Sequence, residues 1–220
     1  MKVLVACEES QRVCSAFRAL GHEAYSCDII EPSGGHPEWH ILGDAVVASE
    51  GGVVKTMDGE EHYVGRWDLL IAHPPCTYLS AASAVRLYNK NHEIKDWNRY
   101  GKMQEAAKFF NLLWTADVPR VCVENPVPLK VAGLPPYTQM IEPFQFGHPW
   151  RKRTCLWLKN LPPLEPTDIV EPKGYWIGAH GHDKAPHGMS KGFRDQKTRS
   201  KTFGGIASAM AMQWGGICNG

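Results

Sequence analysis

Short apolar runs alternating with stretches of helical spacing set the limits on what this chain can fold into. Val-Leu-Val-Ala-Cys occupies 3–7, Trp-Asp-Leu-Leu-Ile-Ala occupies 67–72, and Arg-Val-Cys-Val-Glu-Asn occupies 120–125. Runs this short, without polar alternation, suit strands buried on both faces. After the first run, Ser10 suits a helix cap. Val13, Phe17 and Leu20 then fall on one helical face, and Gly21 suits the stop. Residues 22–29 read as a second strand containing Asp28, and 31–43, rich in Pro, Gly and His, as loop. Residues 98–117 carry an apolar helical stripe of Met103, Ala106, Ala107, Phe110, Leu113 and Trp114, closed by Val118-Pro119. Residues 154–158 read as a further strand and 206–214 as a closing helix. This order predicts an α/β fold: a mostly parallel central sheet with helices on both faces.

The chain of 220 residues is long enough for one well-buried domain. No apolar run approaches the ~20 residues that span a membrane. The opening Met-Lys-Val-Leu-Val-Ala-Cys-Glu-Glu-Ser is too short for the apolar core of a secretion signal, so a cytoplasmic protein is expected. Seven cysteines, an odd number with no Cys-x-x-Cys pair, read as free thiols in a reducing compartment, with Cys122 and Cys155 in core strands. The net charge is only +1, but residues 147–203 hold 11 Lys and Arg against 5 Asp and Glu. A basic C-terminal third suits a phosphate-bearing partner or a solvated face. We expect a core over 1–161, a short irregular basic segment or mini-lobe over 162–202, and a C-terminal helix returning to the core over 203–220.

In open α/β sheets, ligands gather beyond the carboxyl ends of the strands. Asp28, Asp44, Cys76 and Glu124 fall at such ends. Each alone has a plain explanation, as a turn former, a cap or a structural thiol. Together in one crevice they suit chemistry. His73-Pro74-Pro75-Cys76 is the most specific stretch, because two prolines fix the backbone directly before a thiol. His180, His182 and His187 have spacing that suits metal ligands, but no cysteine lies near them and no metal is expected.

The pair formed by His-Pro-Pro-Cys (73–76) and Val-Glu-Asn (123–125) resembles the nucleophile loop and the Glu-Asn motif of the cytosine C5-methyltransferase family. Gly-His-Pro-Trp-Arg-Lys-Arg-Thr-Cys-Leu-Trp-Leu (147–158) resembles that family's arginine motif. Thr-Phe-Gly-Gly-Ile-Ala-Ser-Ala-Met-Ala-Met-Gln-Trp-Gly (202–215) resembles its closing helix, and the stretches 152–164 and 199–215 look like those of short members from bacteriophage genomes; the resemblance covers most of the chain, excepting roughly 45–66 and 165–195. The resemblance implies a Rossmann-like methyltransferase fold and S-adenosylmethionine as cofactor. It implies methyl transfer to C5 of a pyrimidine, most favourably cytosine in DNA, and host cytoplasm as the location. The implied catalytic residues are Cys76, Glu124 and Arg153, with Arg151, Lys152 and Arg153 as candidates for the cation that favours the thiolate. Cys7, Glu8, Glu9, Ser10, Asp28, Ile29, Asp44 and Pro74 would hold the cofactor, and Pro75, Asn125 and Arg151 the substrate.

The chain departs from that family in three places. Glu9, Gln11 and Arg12 stand where its first loop has glycines. Its arginine motif is irregular, with Trp150 in the glutamine place. About 45 residues replace a target-recognition domain. Those residues include Lys173, Lys184, Lys191, Arg194, Lys197, Arg199 and Lys201, with Tyr175, Trp176 and Phe193 among them, a composition that suits phosphate tracking and base stacking. So short a segment leaves a free pyrimidine nucleotide open as the substrate. A degenerate fold that binds nucleic acid or a host protein is also open. Amino-methyltransferases would need another pattern at this strand end, from which His73 and Cys76 both depart.

Overall fold

The computed structural model describes residues 1–176 and 196–216. The expectations for His180, His182, His187, Lys184, Lys191, Phe193, Arg194 and the side chain of Lys197 lie outside the described residues.

The chain runs β1 (Lys2–Ala6), α1 (Arg12–Ala19), β2 (Glu23–Asp28), β3 (His40–Leu42), α2 (Ala45–Ser49), β4 (Gly52–Lys55), β5 (Glu61–Gly65) and β6 (Leu69–Ala72). It continues through α3 (Ala84–Leu87), α4 (Trp97–Trp114), β7 (Arg120–Pro126), β8 (Gln139–Ile141), β9 (Trp150–Arg151), β10 (Thr154–Lys159), β11 (Gly174–Tyr175), α5 (Gln196–Ser200) and α6 (Gly204–Gly215). Seven strands form one sheet in the order β3-β2-β1-β6-β7-β10-β8. The first five run parallel, and β10 lies reversed between β7 and β8. The mostly parallel α/β architecture expected from the sequence is the one observed.

Side chains on a strand alternate between faces, and here both faces are covered. Val3, Val5, Leu69 and Ile71 pack with Val13 and Phe17 of α1 and with Ile206, Met210 and Trp214 of α6. Leu4, Ala6, Leu70 and Ala72 pack with Met103, Ala107, Phe110 and Leu113 of α4. Phe110 meets Trp157 of β10 edge-on, with ring centroids 4.9 Å apart. Helix α4 starts where the Asp96 side chain accepts from the Arg99 amide at 2.8 Å. Helix α6 starts with two glycines, the second of them for a steric reason. A Cβ on Gly205 would collide with the carbonyl oxygen of Phe146, and the Gly205 amide donates to His148 Nε2 at 3.0 Å.

Two local expectations are corrected. Residues 31–43 are not all loop, because a 3-10 turn at Pro37–Trp39 leads into β3. The three residues of β3 are too few to show a period. Ser10 does not cap α1, and Leu20 caps its exit, exposed rather than packed. Residues 162–176 contain only β11, which pairs with β9. No helix among the described residues is long and apolar enough to cross a membrane.

Candidate active site

Parallel strands bring all their carboxyl ends to one edge, and the reversed β10 brings its start to the same edge. Ala6 lies opposite Ala72, and Ala72 opposite Val123. The next residue on each strand is therefore Cys7, His73 or Glu124, side by side at about 4.8 Å strand spacing. The His73 amide extends the ladder by donating to the Ala6 carbonyl at 2.9 Å.

The chain turns at once after His73. Pro74 is buried, while Pro75 and Cys76 are exposed. The Cys76 carbonyl accepts from the Leu79 and Ser80 amides at 3.1 and 3.0 Å, closing a turn. The exit is pinned to the segment following β7. Ala81 donates to Val127 at 2.8 Å, and Leu129 donates back to Leu79 at 2.7 Å. The entry is pinned by buried Asn125, whose Nδ2 donates to the Pro74 carbonyl at 2.8 Å. The thiol loop is thus held at both ends by the strand that carries Glu124.

His73 Nδ1 and Glu124 Oε2 are 3.0 Å apart. Burial on its own would raise the Glu124 carboxyl. The hydrogen bond from His73 and the charge of Lys152 outweigh burial, and the carboxyl lies below its ordinary value. The Cys76 thiol is pushed up, first by the dense side of its recess and then by the Glu124 charge, with Lys152 and Arg199 pulling the other way. Solvent still reaches the residue.

Lys152 is therefore the cation that acts on both groups, and its Nζ donates to the Arg199 carbonyl at 3.1 Å. Arg151 and Arg153 do not take that place. Arg151 Nη1 bonds Glu142 Oε2 at 3.0 Å and lies over Phe144, so its charge is already engaged. Arg153 is exposed, and its charge acts on Cys155. Side chains alternate along this extended stretch, which puts Lys152 on the opposite side from Arg151 and Arg153.

The first loop keeps a glycine-like backbone without glycines. Cys7 and Gln11 have φ of 58° and 55°, a left-handed conformation that costs ordinary residues on the order of 1 kcal/mol each. Glu8 turns inward, and its carboxylate caps α1 by accepting from the Val13 and Cys14 amides at 2.6 and 3.1 Å. Burial nevertheless raises its carboxyl. The Gln11 amide grips His36 from both sides, donating to its carbonyl at 2.8 Å and accepting from its amide at 3.0 Å. A Cβ on Gly34 would collide with Gln11 and the Ser10 carbonyl, so the 31–36 loop packs directly on the first loop. The Glu9 carbonyl accepts from Ser33 at 2.7 Å.

Of the remaining cofactor candidates, Asp28 is half-buried at the end of β2, with burial raising its carboxyl, and Ile29 beside it is exposed. Asp44 caps α2 through the Val46 amide at 2.7 Å. Asp28 and Asp44 both raise the Cys7 thiol, behind burial as the main cause, so these three side chains share one corner of the edge.

Sequence reasoning missed a basic face beside the thiol loop. Arg86, Lys90, Lys95, Arg99 and Lys102 fall between α3 and the first turns of α4, and no ion pair among the described residues involves them. The nearby acids are used locally: Glu93 accepts from Asn89, and Asp96 caps α4. Arg99 donates to the Thr77 carbonyl at 2.8 Å and covers the Tyr78 ring. Trp97 is 68% exposed. The charge of 84–102, five cations against two acids, was visible in the sequence.

No protein-family model matches the chain, and no curated protein matches it. Solved structures similar to it include a DNA modification methyltransferase encoded within an E. coli prophage, at 14% identity and TM-score 0.42. The match covers 78% of this chain and 52% of that one. S. pombe Dnmt2 methyltransferase matches at 12% identity and TM-score 0.38, over 74% of this chain and 51% of that one. Entamoeba histolytica methyltransferase EhMeth matches at 12% identity and TM-score 0.38, over 78% and 56%. The chain spans about half the length of these structures. Fold and site together define an open α/β protein with an exposed thiol and a buried carboxylate at the carboxyl edge of its sheet.

Proposed function

We propose that the protein transfers a methyl group from S-adenosylmethionine to C5 of a pyrimidine, most favourably cytosine in DNA, through a covalent adduct between Cys76 and C6. The observation that carries this reading is the shared support of Cys76 and Glu124: one residue, Asn125, ties the thiol loop to the carboxylate's strand.

The residues at this edge fit the cofactor. The left-handed turns at Cys7 and Gln11 give a tight loop beside β1. The half-buried Asp28 suits sugar hydroxyls, and exposed Ile29 suits a flat base. When bound, the cofactor supplies a methyl group on a positively charged sulfur.

C5 of a pyrimidine is a poor nucleophile until C6 is attacked. The Cys76 thiolate adds to C6, and the ring electrons pass to C5, which takes the methyl group. The C5 proton is then lost, and the thiolate departs as the ring is restored. Lys152 favours the thiolate, offsetting part of the opposing effects of burial and Glu124. Glu124 accepts a hydrogen bond from the base edge and orients the ring. The unpaired cations of 86–102 and the exposed Trp97 support a polynucleotide over a free nucleotide.

Mass spectrometry of nucleosides and nucleotides from cells expressing the protein tests this. Expected is a 5-methylpyrimidine that disappears with Cys76→Ala. The same product from the alanine variant would refute the mechanism, and a methylated free nucleotide with unmodified DNA would move the substrate.

A further inference from the structure

His73 opens the thiol loop and sits at the centre of the site. It follows directly on β6, between the neighbouring edge residues of β1 and β7. Its side chain is 10% exposed, and that of its partner Glu124 is 16% exposed. Nδ1 meets Glu124 Oε2 at 3.0 Å, while Nε2 is buried without a partner among the described residues. The charged groups around this pair come from every neighbouring element: Glu8 from the first loop, Lys152 from the approach to β10, and Cys76 from the thiol loop.

We infer that His73 is a positioning residue that decides which ring edge Glu124 reads. With Nδ1–H donating to Oε2, Glu124 offers Oε1 to the substrate as an acceptor, and such a site takes a ring edge that donates. The 4-amino group of cytosine and the N3–H of uracil both qualify. Without His73, burial of Glu124 is opposed only by Lys152, and the carboxyl gains a proton more readily. A protonated carboxyl can donate to the bare N3 of cytosine, while toward the N3–H of uracil it keeps only a neutral acceptor oxygen, weaker than the carboxylate's. His73 therefore favours uracil-type rings, and its loss shifts the balance toward cytosine. The choice of rings rests on the pyrimidine reading; the control of Glu124 by His73 does not.

The experiment follows Glu124 directly, by carbon NMR of protein labelled at glutamate carboxyls, with the signal assigned by Glu124→Gln. His73→Phe is expected to move the titration midpoint up by about one pH unit, a tenfold change in ionisation. His73→Asn, which keeps an N–H near Nδ1, is expected to reverse most of that rise. An unchanged midpoint in folded His73→Phe overturns the inference. If that variant does not fold, the same Glu124 titration in His73→Leu decides, and an unchanged midpoint there overturns the inference equally.

The second arm uses Cys76→Ser protein and two matched oligonucleotides, one with cytosine and one with uracil at a single site. His73→Phe should shift the binding ratio about tenfold toward cytosine, in step with the midpoint. An unshifted ratio overturns the control of ring choice. If the parent binds neither oligonucleotide, the pyrimidine reading falls, while the carboxyl titration still decides the role of His73.

Discussion

Asn125 Nδ2 donates to the Pro74 carbonyl oxygen at 2.8 Å, so the strand that carries Glu124 also holds the loop that carries Cys76. Asn125→Ala leaves that buried carbonyl without its donor, at a cost of about 1–3 kcal/mol in stability. A thiol displaced by ~1 Å loses on the order of 100-fold in turnover. Alkylation of Cys76 by a small reagent should change far less, because the thiol's electrostatic neighbours remain. Turnover near the parent's level in a folded Asn125→Ala protein would contradict the positioning role.

Lys152 and Glu124 pull the Cys76 thiol in opposite directions, and this yields two predictions of opposite sign. Burial and Glu124 raise the thiol, so the thiolate fraction is low at neutral pH and grows as pH rises. Lys152→Met should raise the thiol further and slow its reaction with iodoacetamide at pH 8 several-fold. Glu124→Gln should make the thiol more acidic and speed the same reaction, by up to about tenfold for a midpoint lowered by one pH unit. Methyl transfer should fall in both variants. If both changes moved the alkylation rate the same way, the electrostatic account of the thiol would be wrong.

Glu8 caps α1 from a site enclosed by protein, and its folded carboxyl lies above the ordinary value chiefly through burial. The folded state therefore holds this proton more tightly than the unfolded chain does. Glu8 favours folding below its unfolded value, and that contribution is lost as pH rises through the folded value. Glu124 has the opposite sign: its folded carboxyl is lowered, and its contribution disappears as pH falls through that value. Urea unfolding between pH 4.5 and 7.5 should thus show Glu8→Gln gaining on the parent as pH rises. Glu8→Ala should lose about 1 kcal/mol from the cap itself. A parent-minus-Glu8→Gln difference that stays flat with pH would remove Glu8 from this role.

The strands were legible because burial on both faces forces unbroken apolar runs, as in Leu69–Ala72. The positions of Cys76 and Glu124 were legible because strand ends follow directly from those runs. Lys152 was legible only as one of three candidate cations, since the parity of Arg151-Lys152-Arg153 is set by where the reversed β10 begins, a tertiary fact. Glu8 looked like a loop residue facing a ligand, and Gln11 like a substitute for a loop glycine. Their inward turn depends on α1 offering free amides and on the 31–36 loop offering His36, neither of which lies in the local pattern. The pairing of His73 with Glu124 required knowing that β6 and β7 are neighbours in register, across 51 positions of chain.

The face bearing Arg86, Lys90, Lys95, Arg99, Lys102 and Trp97 gives the last prediction. Five cations with no acidic partner among the described residues, beside an exposed indole and the thiol loop, suit a phosphate backbone with unstacked bases. Each phosphate contact removed from a single strand should lower the slope of log affinity against log salt by about 0.7. The combined change Arg86→Gln, Lys90→Gln, Lys102→Gln leaves Arg99 and Lys95 on their structural carbonyls. It should reduce the slope for a fluorescent 16-base DNA strand by about 2, with little change in thermal stability. Trp97→Ala should weaken the same binding by about 1–3 kcal/mol while leaving the slope in place, since stacking releases no counterions. A parent slope near zero, or an unaltered slope in the triple variant, would mean that the strand does not cross this face.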